Sequence, residues 1–289
     1  METRSRIEQA LDRALTRACG PKAPPRIAEA MRHAVFPGGA RVRPRLALAV
    51  ARACGDDVPK LTDAALSAVE FLHCASLVHD DLPVFDDAAT RRGRPTVHSI
   101  YGAPLALLAG DALIVLAFET IALESALQPA RTAPLIATVA RAVGMPMGIT
   151  AGQAWECEPE VDLENYHREK TGALFVGSTM VGAIAAGADP HPWRRLGECL
   201  GEAYQVADDL RDAFADEEEI GKPVGQDKAH HRPNAVEALG SAGCLKRLRS
   251  LISGAIESIP VCPGAGELEA LIMNEAKRLV PKNLAQSAA

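Results

Sequence analysis

Two stretches of this 289-residue chain carry carboxylates at spacings that could grip a metal ion. The first is D-D-L-P-V-F-D-D, with Asp80, Asp81, Asp86 and Asp87. The second is Q-V-A-D-D-L-R-D, with Gln205, Asp208, Asp209 and Asp212. On a helix, Asp208 and Asp212 fall about 40° apart, and Gln205 lies one turn earlier on nearly the same face. Crowded acids repel one another and raise each other's pKa, so cations should lie nearby. Arg91 and Arg92, in T-R-R-G-R-P-T, follow the first cluster. Oxygen ligands without His or Cys suit Mg²⁺ rather than zinc, and Mg²⁺ is usually shared between one or two carboxylates and substrate phosphate oxygens. The pattern predicts a diphosphate clamped between the two clusters by several Mg²⁺ ions. The acids at 216–219 read instead as a solvated charge run.

Basic and amide groups add to this pattern. G-G-A-R-V-R-P at 38–44 is a Gly-rich turn entering a helix with Arg41 and Arg43, a combination of backbone N–H groups and guanidinium forks that suits an anion. Lys170-Thr171-Gly172 interrupts an apolar helical pattern and could supply a further phosphate contact. Gly152-Gln153 likewise sets an amide among apolar neighbours.

These groups must be positioned by helices. Apolar residues recur at helical spacing over 4–18, 25–35, 42–54, 61–79, 103–126, 131–156, 163–186, 193–214, 234–256 and 266–279. The 61–79 segment is apolar around most of its circumference, the mark of a buried helix. Asp80 and Asp81 then sit at its C-terminal end, where the helix dipole disfavours acid, so idle carboxylates there would be costly. Pro and Gly separate the segments, no run of strict alternation appears, and no linker marks a second domain. One all-α domain over 1–289, of about ten helices, is expected.

Composition narrows the function further. The chain is 48% hydrophobic and 24% charged, which excludes a disordered chain. Its net charge of −6 argues against nucleic acid as the main partner. Seven scattered cysteines without a C-x-x-C pair indicate thiols in a reducing cytoplasm rather than disulfides or zinc. The N-terminus has no apolar signal region. The longest apolar run, 103–118, is broken by Asp111 and falls short of the ~20 residues of a membrane span.

Taken in order, the motifs resemble those of the trans-isoprenyl diphosphate synthases. The matching residues are G-G-x-R-x-R-P at 38–44, D-D-x-x-x-x-D at 80–86, R-R-G-x-P-T at 91–96, G-Q at 152–153, K-T-G at 170–172, Q-x-x-D-D-x-x-D at 205–212 and G-K-P-x-G-x-D at 221–227. The spacer in the first Asp motif is similar to that of bacterial enzymes, including carotenoid-pathway geranylgeranyl diphosphate synthases. The resemblance implies an isoprenoid-synthase helical barrel around a deep apolar cavity, usually homodimeric. It implies that Asp80, Asp86 and Asp208, assisted by Asp81, Asp209 and Asp212, hold about three Mg²⁺ on an allylic diphosphate. Arg91, Lys170 and Lys222 would bind the same diphosphate. Arg43, His73 and Arg92 would position isopentenyl diphosphate, whose double bond attacks the allylic cation. Thr171 and Gln205 would stabilise that cation by their dipoles. His73 lies seven residues before Asp80, two turns back on the same face.

Three departures concern the isopentenyl diphosphate side. Ala40 stands where the family usually has Lys, and Arg41 is the neighbour that could replace it. Glu156 stands where Asp is frequent, and Arg232-Pro233 where a Lys-Thr pair is frequent. For product length, the small Ala75 and Ser76 precede Asp80 by five and four residues. In the family an aromatic residue there stops growth at farnesyl diphosphate. Small residues imply passage to geranylgeranyl diphosphate, with Phe71, Leu72 and Phe118 as a floor. Farnesyl or longer products are the nearest alternatives. A class I terpene cyclase normally lacks the paired Asp-Asp arrangement, and a non-catalytic regulatory subunit need not keep both motifs.

Overall fold

Apolar residues at helical spacing become helices along most of the chain. The computed structural model describes residues 2–36, 39–124, 126, 128–160, 166, 168–214 and 235–279. In order the elements are α1 (Glu2–Ala18), α2 (Pro25–Val35), α3 (Val42–Ala53), α4 (Pro59–Asp80), β1 (Thr90–Arg91), β2 (Arg94–Pro95), α5 (Val97–Tyr101), α6 (Ala103–Glu124), α7 (Pro129–Val143), α8 (Ile149–Trp155), a π-helical turn (Arg168–Gly172), α9 (Ala173–Ala185), a 3₁₀ turn (His191–Trp193), α10 (Arg194–Phe214), α11 (Ala235–Glu257) and α12 (Ala265–Leu279). The prolines opening α2, α4 and α7 sit at the first helical position, where a missing N–H costs nothing.

Two sequence expectations are corrected, and the all-α class stands with one small addition. The 131–156 pattern is two helices, α7 and α8, because Pro146 between them has no amide hydrogen to continue a helix. The addition is a short antiparallel ladder, Thr90 opposite Pro95 and Arg91 opposite Arg94, the one sheet among the described residues. Its two turn residues, Arg92 and Gly93, both have positive φ, as a two-residue type I′ hairpin requires. The apolar run beginning at 103 is not broken by Asp111. That side chain is 57% exposed and faces solvent, so α6 continues through it for 22 residues. By length and composition alone α4 and α6 could each cross a membrane, but 78% of the apolar stretch of α4 and 44% of that of α6 is buried against the protein, as in core helices.

The chain divides into two compact units, 1–140 with 177–190, and 141–176 with 191–289. In the first, α4 is the central element. Helices α1, α2, α3 and α6 pack against it, which is why it is apolar on nearly every side. Leu66, Phe71 and Leu72 are fully enclosed, each contributing about 1.5–3 kcal/mol by burial. In the second, α10 packs on α11, α12 and the π turn, and α8 packs on the same turn. Phe175 and Tyr204 stack at 4.7 Å between ring centroids.

Candidate active site

In the first unit, α4 ends at Asp80 and Asp81 caps it. The chain then folds back on itself. The Asp86 amide donates to the Asp80 carbonyl at 3.0 Å, and the Ala88 amide to the Asp81 carbonyl at 3.2 Å. This closure brings carboxylate oxygens of Asp80 and Asp86 within 4.8 Å of each other. The two acids of the D-D pair diverge because consecutive helical residues lie about 100° apart. Asp81 is buried and accepts a hydrogen bond from Arg91 Nε at 2.7 Å, whereas Asp80 meets Arg91 Nη2 only at 3.5 Å. Burial raises the Asp81 pKa, against the opposing pull of Arg91. The I′ hairpin is what turns Arg91 back onto the acids that it follows in sequence.

Beside this pair lies a cationic cluster. Arg43 Nη1 is 3.4 Å from His73 Nε2. A guanidinium can only donate, so Nε2 must be the acceptor and the ring is neutral with its hydrogen on Nδ1. Burial holds the His73 pKa well below its usual value, reinforced by Arg43, Arg92, Arg91 and Arg41. Arg92 lies directly over the Gly39 backbone: a Cβ at Gly39 would meet its Nη1 at 2.4 Å. Gly39 therefore makes room for a guanidinium next to Ala40, the position where the expected lysine is missing.

Arg41 does something different from the phosphate contact expected of it. Its side chain is 1% exposed and its guanidinium is engaged on every side. It donates to Glu70 at 2.6 Å, to both oxygens of Glu8 at 3.0 and 3.1 Å, and to the Val35 carbonyl at 2.8 Å. Burial opposes its charge, but the Glu8 hydrogen bonds and the Glu70 charge outweigh this and raise its pKa. Arg41 thus ties α1 and α4 to the start of α3, and Arg43 follows two residues later. Glu8 and Glu70 were not singled out from sequence. The signal available was Glu70 itself, an acid inside an apolar helix, which is almost never buried without a partner.

Of the residues expected along the growing chain, Ala75 and Leu72 are buried in α4, while Ser76 and Phe118 are half-buried. The Ser76 hydroxyl donates back to the His73 carbonyl at 2.8 Å. The Cys74 thiol, shut in beside them, is pushed up to about 12 by burial and by Glu70.

In the second unit, K-T-G falls in the π turn, a form enriched at functional sites. Gly152 permits this turn to sit against α8: a Cβ there would lie 2.3 Å from the Lys170 backbone nitrogen. Lys170 Nζ contacts Glu156 Oε1 at 2.6 Å. Thr171 donates to Gln205 Oε1 at 2.8 Å, and Gln205 Nε2 donates to Asp209 Oδ1 at 2.9 Å. The chain of donors fixes the amide, leaving its oxygen at the hydroxyl. Asp209 is buried and also accepts the Ala235 amide at the start of α11, at 2.7 Å. Asp208 is exposed, with Arg211 at 3.5 Å, and Asp212 is half-buried. In each D-D pair the second acid, Asp81 or Asp209, is buried, while the first is half-buried at Asp80 and exposed at Asp208. Lys222, the 221–227 motif and Arg232-Pro233 lie outside the described residues.

Asp80 and Asp86, with their oxygens close together, could hold a metal ion. Helical architecture and acid–base pattern together define an isoprenoid-synthase type of protein. The polyprenyl synthetase family profile matches residues 24–253, and the chain belongs to that family. It is 55% identical over 285 residues to a geranylgeranyl diphosphate synthase of Cereibacter sphaeroides, covering 99% of each chain. It is 50% identical over 280 residues to a geranylgeranyl diphosphate synthase of Rhodobacter capsulatus, covering 97% of each. Its fold is that of the crystal structure of an FPP/GFPP synthase from Zymomonas mobilis, with a TM-score of 0.80, 29% identity, and 95% and 99% of the two chains covered.

Proposed function

We infer that this chain is a prenyltransferase that condenses isopentenyl diphosphate head-to-tail with an allylic diphosphate to form geranylgeranyl diphosphate. The observation that carries this reading is the pairing, within one unit, of the Asp80–Asp86 acids with the separate Arg43–His73–Arg92 cluster. Acids serve a metal-bound leaving group, and the guanidiniums serve a second diphosphate, which a cyclase acting on one substrate would not need. The 1–289 chain is read as one catalytic domain, since the family match runs through both units.

In this reading Asp80, Asp81, Asp86, Asp208, Asp209 and Asp212 form the metal-binding set, with Asp81 and Asp209 acting from buried positions. Bound Mg²⁺, about three per site, would neutralise the diphosphate leaving group. Arg91, Lys170 and Lys222 hold that diphosphate while the allylic C–O bond breaks and its electron pair leaves with oxygen. Arg43, Arg92 and neutral His73 orient isopentenyl diphosphate, whose π electrons form the new C–C bond. A proton is then lost to the released pyrophosphate, restoring a double bond. The Thr171 hydroxyl and Gln205 amide oxygen face the transient cation with preset dipoles, which need no reorganisation as charge develops. Arg41 supports the site from behind rather than by touching substrate.

We read the protein as a cytoplasmic homodimer. No disulfide joins its cysteines among the described residues. Leu107, Leu108, Val115 and Leu123 leave α6 with exposed apolar surface that a second copy would cover. The deciding experiment incubates purified protein alone with Mg²⁺, farnesyl diphosphate and labelled isopentenyl diphosphate. Labelled geranylgeranyl diphosphate is expected. No labelled product without an added partner would favour a regulatory subunit, and a longer or shorter main product would correct the chain length.

A further inference from the structure

Three donors converge on one carboxylate in the second unit. Tyr166 Oη donates to Glu156 Oε1 at 2.6 Å. Lys170 Nζ reaches the same oxygen at 2.6 Å, and Gln153 Nε2 donates to Oε2 at 2.8 Å. The Lys170 ammonium also lies 5.7 Å from the centroid of the Tyr166 ring, within cation–π range. Tyr166 is only 8% exposed, so its hydroxyl is held in place. Glu156 is therefore the counter-ion that Lys170 must share with any diphosphate, and Tyr166 sets how strongly.

We propose that Tyr166 is a positioning residue for Lys170, acting through Glu156, and thereby tunes affinity for the allylic diphosphate. This rests on the reading that Lys170 binds that diphosphate. Two effects of the hydroxyl have the same sign. It occupies one lone pair of Oε1 and draws charge from it, so Glu156 competes less strongly for the ammonium. It also pins the carboxylate from the side opposite Gln153, so Lys170 does not swing away with it. The ring supplies a weak, non-competing face for the cation. Without the hydroxyl, Glu156 holds the ammonium more tightly and in a less defined place.

Tyr166→Phe keeps the ring and its burial and removes only the hydroxyl. The dissociation constant of farnesyl diphosphate, titrated with Mg²⁺ and without isopentenyl diphosphate, should rise about threefold to tenfold, the span of one net hydrogen bond. The KM for isopentenyl diphosphate should stay at its parental value, and the melting temperature should fall by no more than about a few degrees, the worth of one net hydrogen bond. Lys170→Ala should weaken farnesyl diphosphate binding by itself, and adding Tyr166→Phe to it should cause no further loss, because coupled residues are non-additive. Unchanged binding in Tyr166→Phe, or an equal loss in the Lys170→Ala background, overturns the proposal. If Lys170→Ala alone leaves binding unchanged, the assignment of Lys170 to the diphosphate fails instead, and the proposal with it.

Discussion

Replacing Arg41 separates a structural arginine from a substrate-binding one. Arg41→Ala removes the partner of Glu70, whose side chain is 5% exposed, and of Glu8, which is 30% exposed. The Glu8 contact is partly screened and contributes at most about 1 kcal/mol. The Glu70 contact dominates, because an acid left buried without its cation costs about 3–5 kcal/mol. The Val35 carbonyl loses its donor too, but these losses share one side chain and do not simply add. Against a total stability of about 5–15 kcal/mol, the variant forfeits a large fraction. At about 2–4 °C per kcal/mol for a chain of this order of size, thermal unfolding should fall by on the order of 10 °C. Circular dichroism melts measure this directly. Arg41→Lys should fall in between, since an ammonium keeps the charge but cannot fork to both glutamates. Arg41→Met combined with Glu70→Gln should recover part of the loss by removing the stranded charge. KM for isopentenyl diphosphate is measured in parallel at a temperature where all variants are folded. An Arg41→Ala protein that melts like its parent while that KM rises tenfold would refute the reasoning and make Arg41 a substrate ligand.

Other substitutions probe the remaining parts. Gly39→Ala places a methyl within 2.4 Å of the Arg92 guanidinium, which can swing aside. KM for isopentenyl diphosphate should therefore rise about tenfold, one charge-assisted hydrogen bond, with little change in melting temperature. Ala75→Phe should shift the main product from geranylgeranyl toward farnesyl diphosphate in product chromatography. If no channel passes Ala75, overpacking would instead cost about 1–3 kcal/mol with unchanged product. His73 gives a pH dependence of definite sign. Its folded pKa is depressed, so below the unfolded value of about 6.5 only the unfolded chain takes up the proton. Its penalty is absent above that pH and grows as the pH falls toward the folded value. His73→Asn should flatten this acidic loss of stability in urea titrations at a series of pH values.

The sequence by itself settled the helical class, the two acidic motifs and the presence of cations to answer them. Those features are local. Spacing along a helix fixes which residues share a face, and donor chemistry narrows the class of metal they suit. The buried helix ending at Asp80 was legible because its apolar residues run all the way round. What spacing could not decide was which member of each D-D pair is buried. Asp81 and Asp209 are turned inward by Arg91 and by the first amide of α11, partners contributed by other elements. Arg41 looked like a phosphate ligand from its motif, yet its place is set by Glu8 and Glu70, 33 and 29 residues away. Tyr166 carried no motif, and the role proposed for it arises only because the π turn and α8 meet at Gly152. One helix determines azimuth, but burial and pairing depend on what the neighbouring helices bring, and only the tertiary structure decides that.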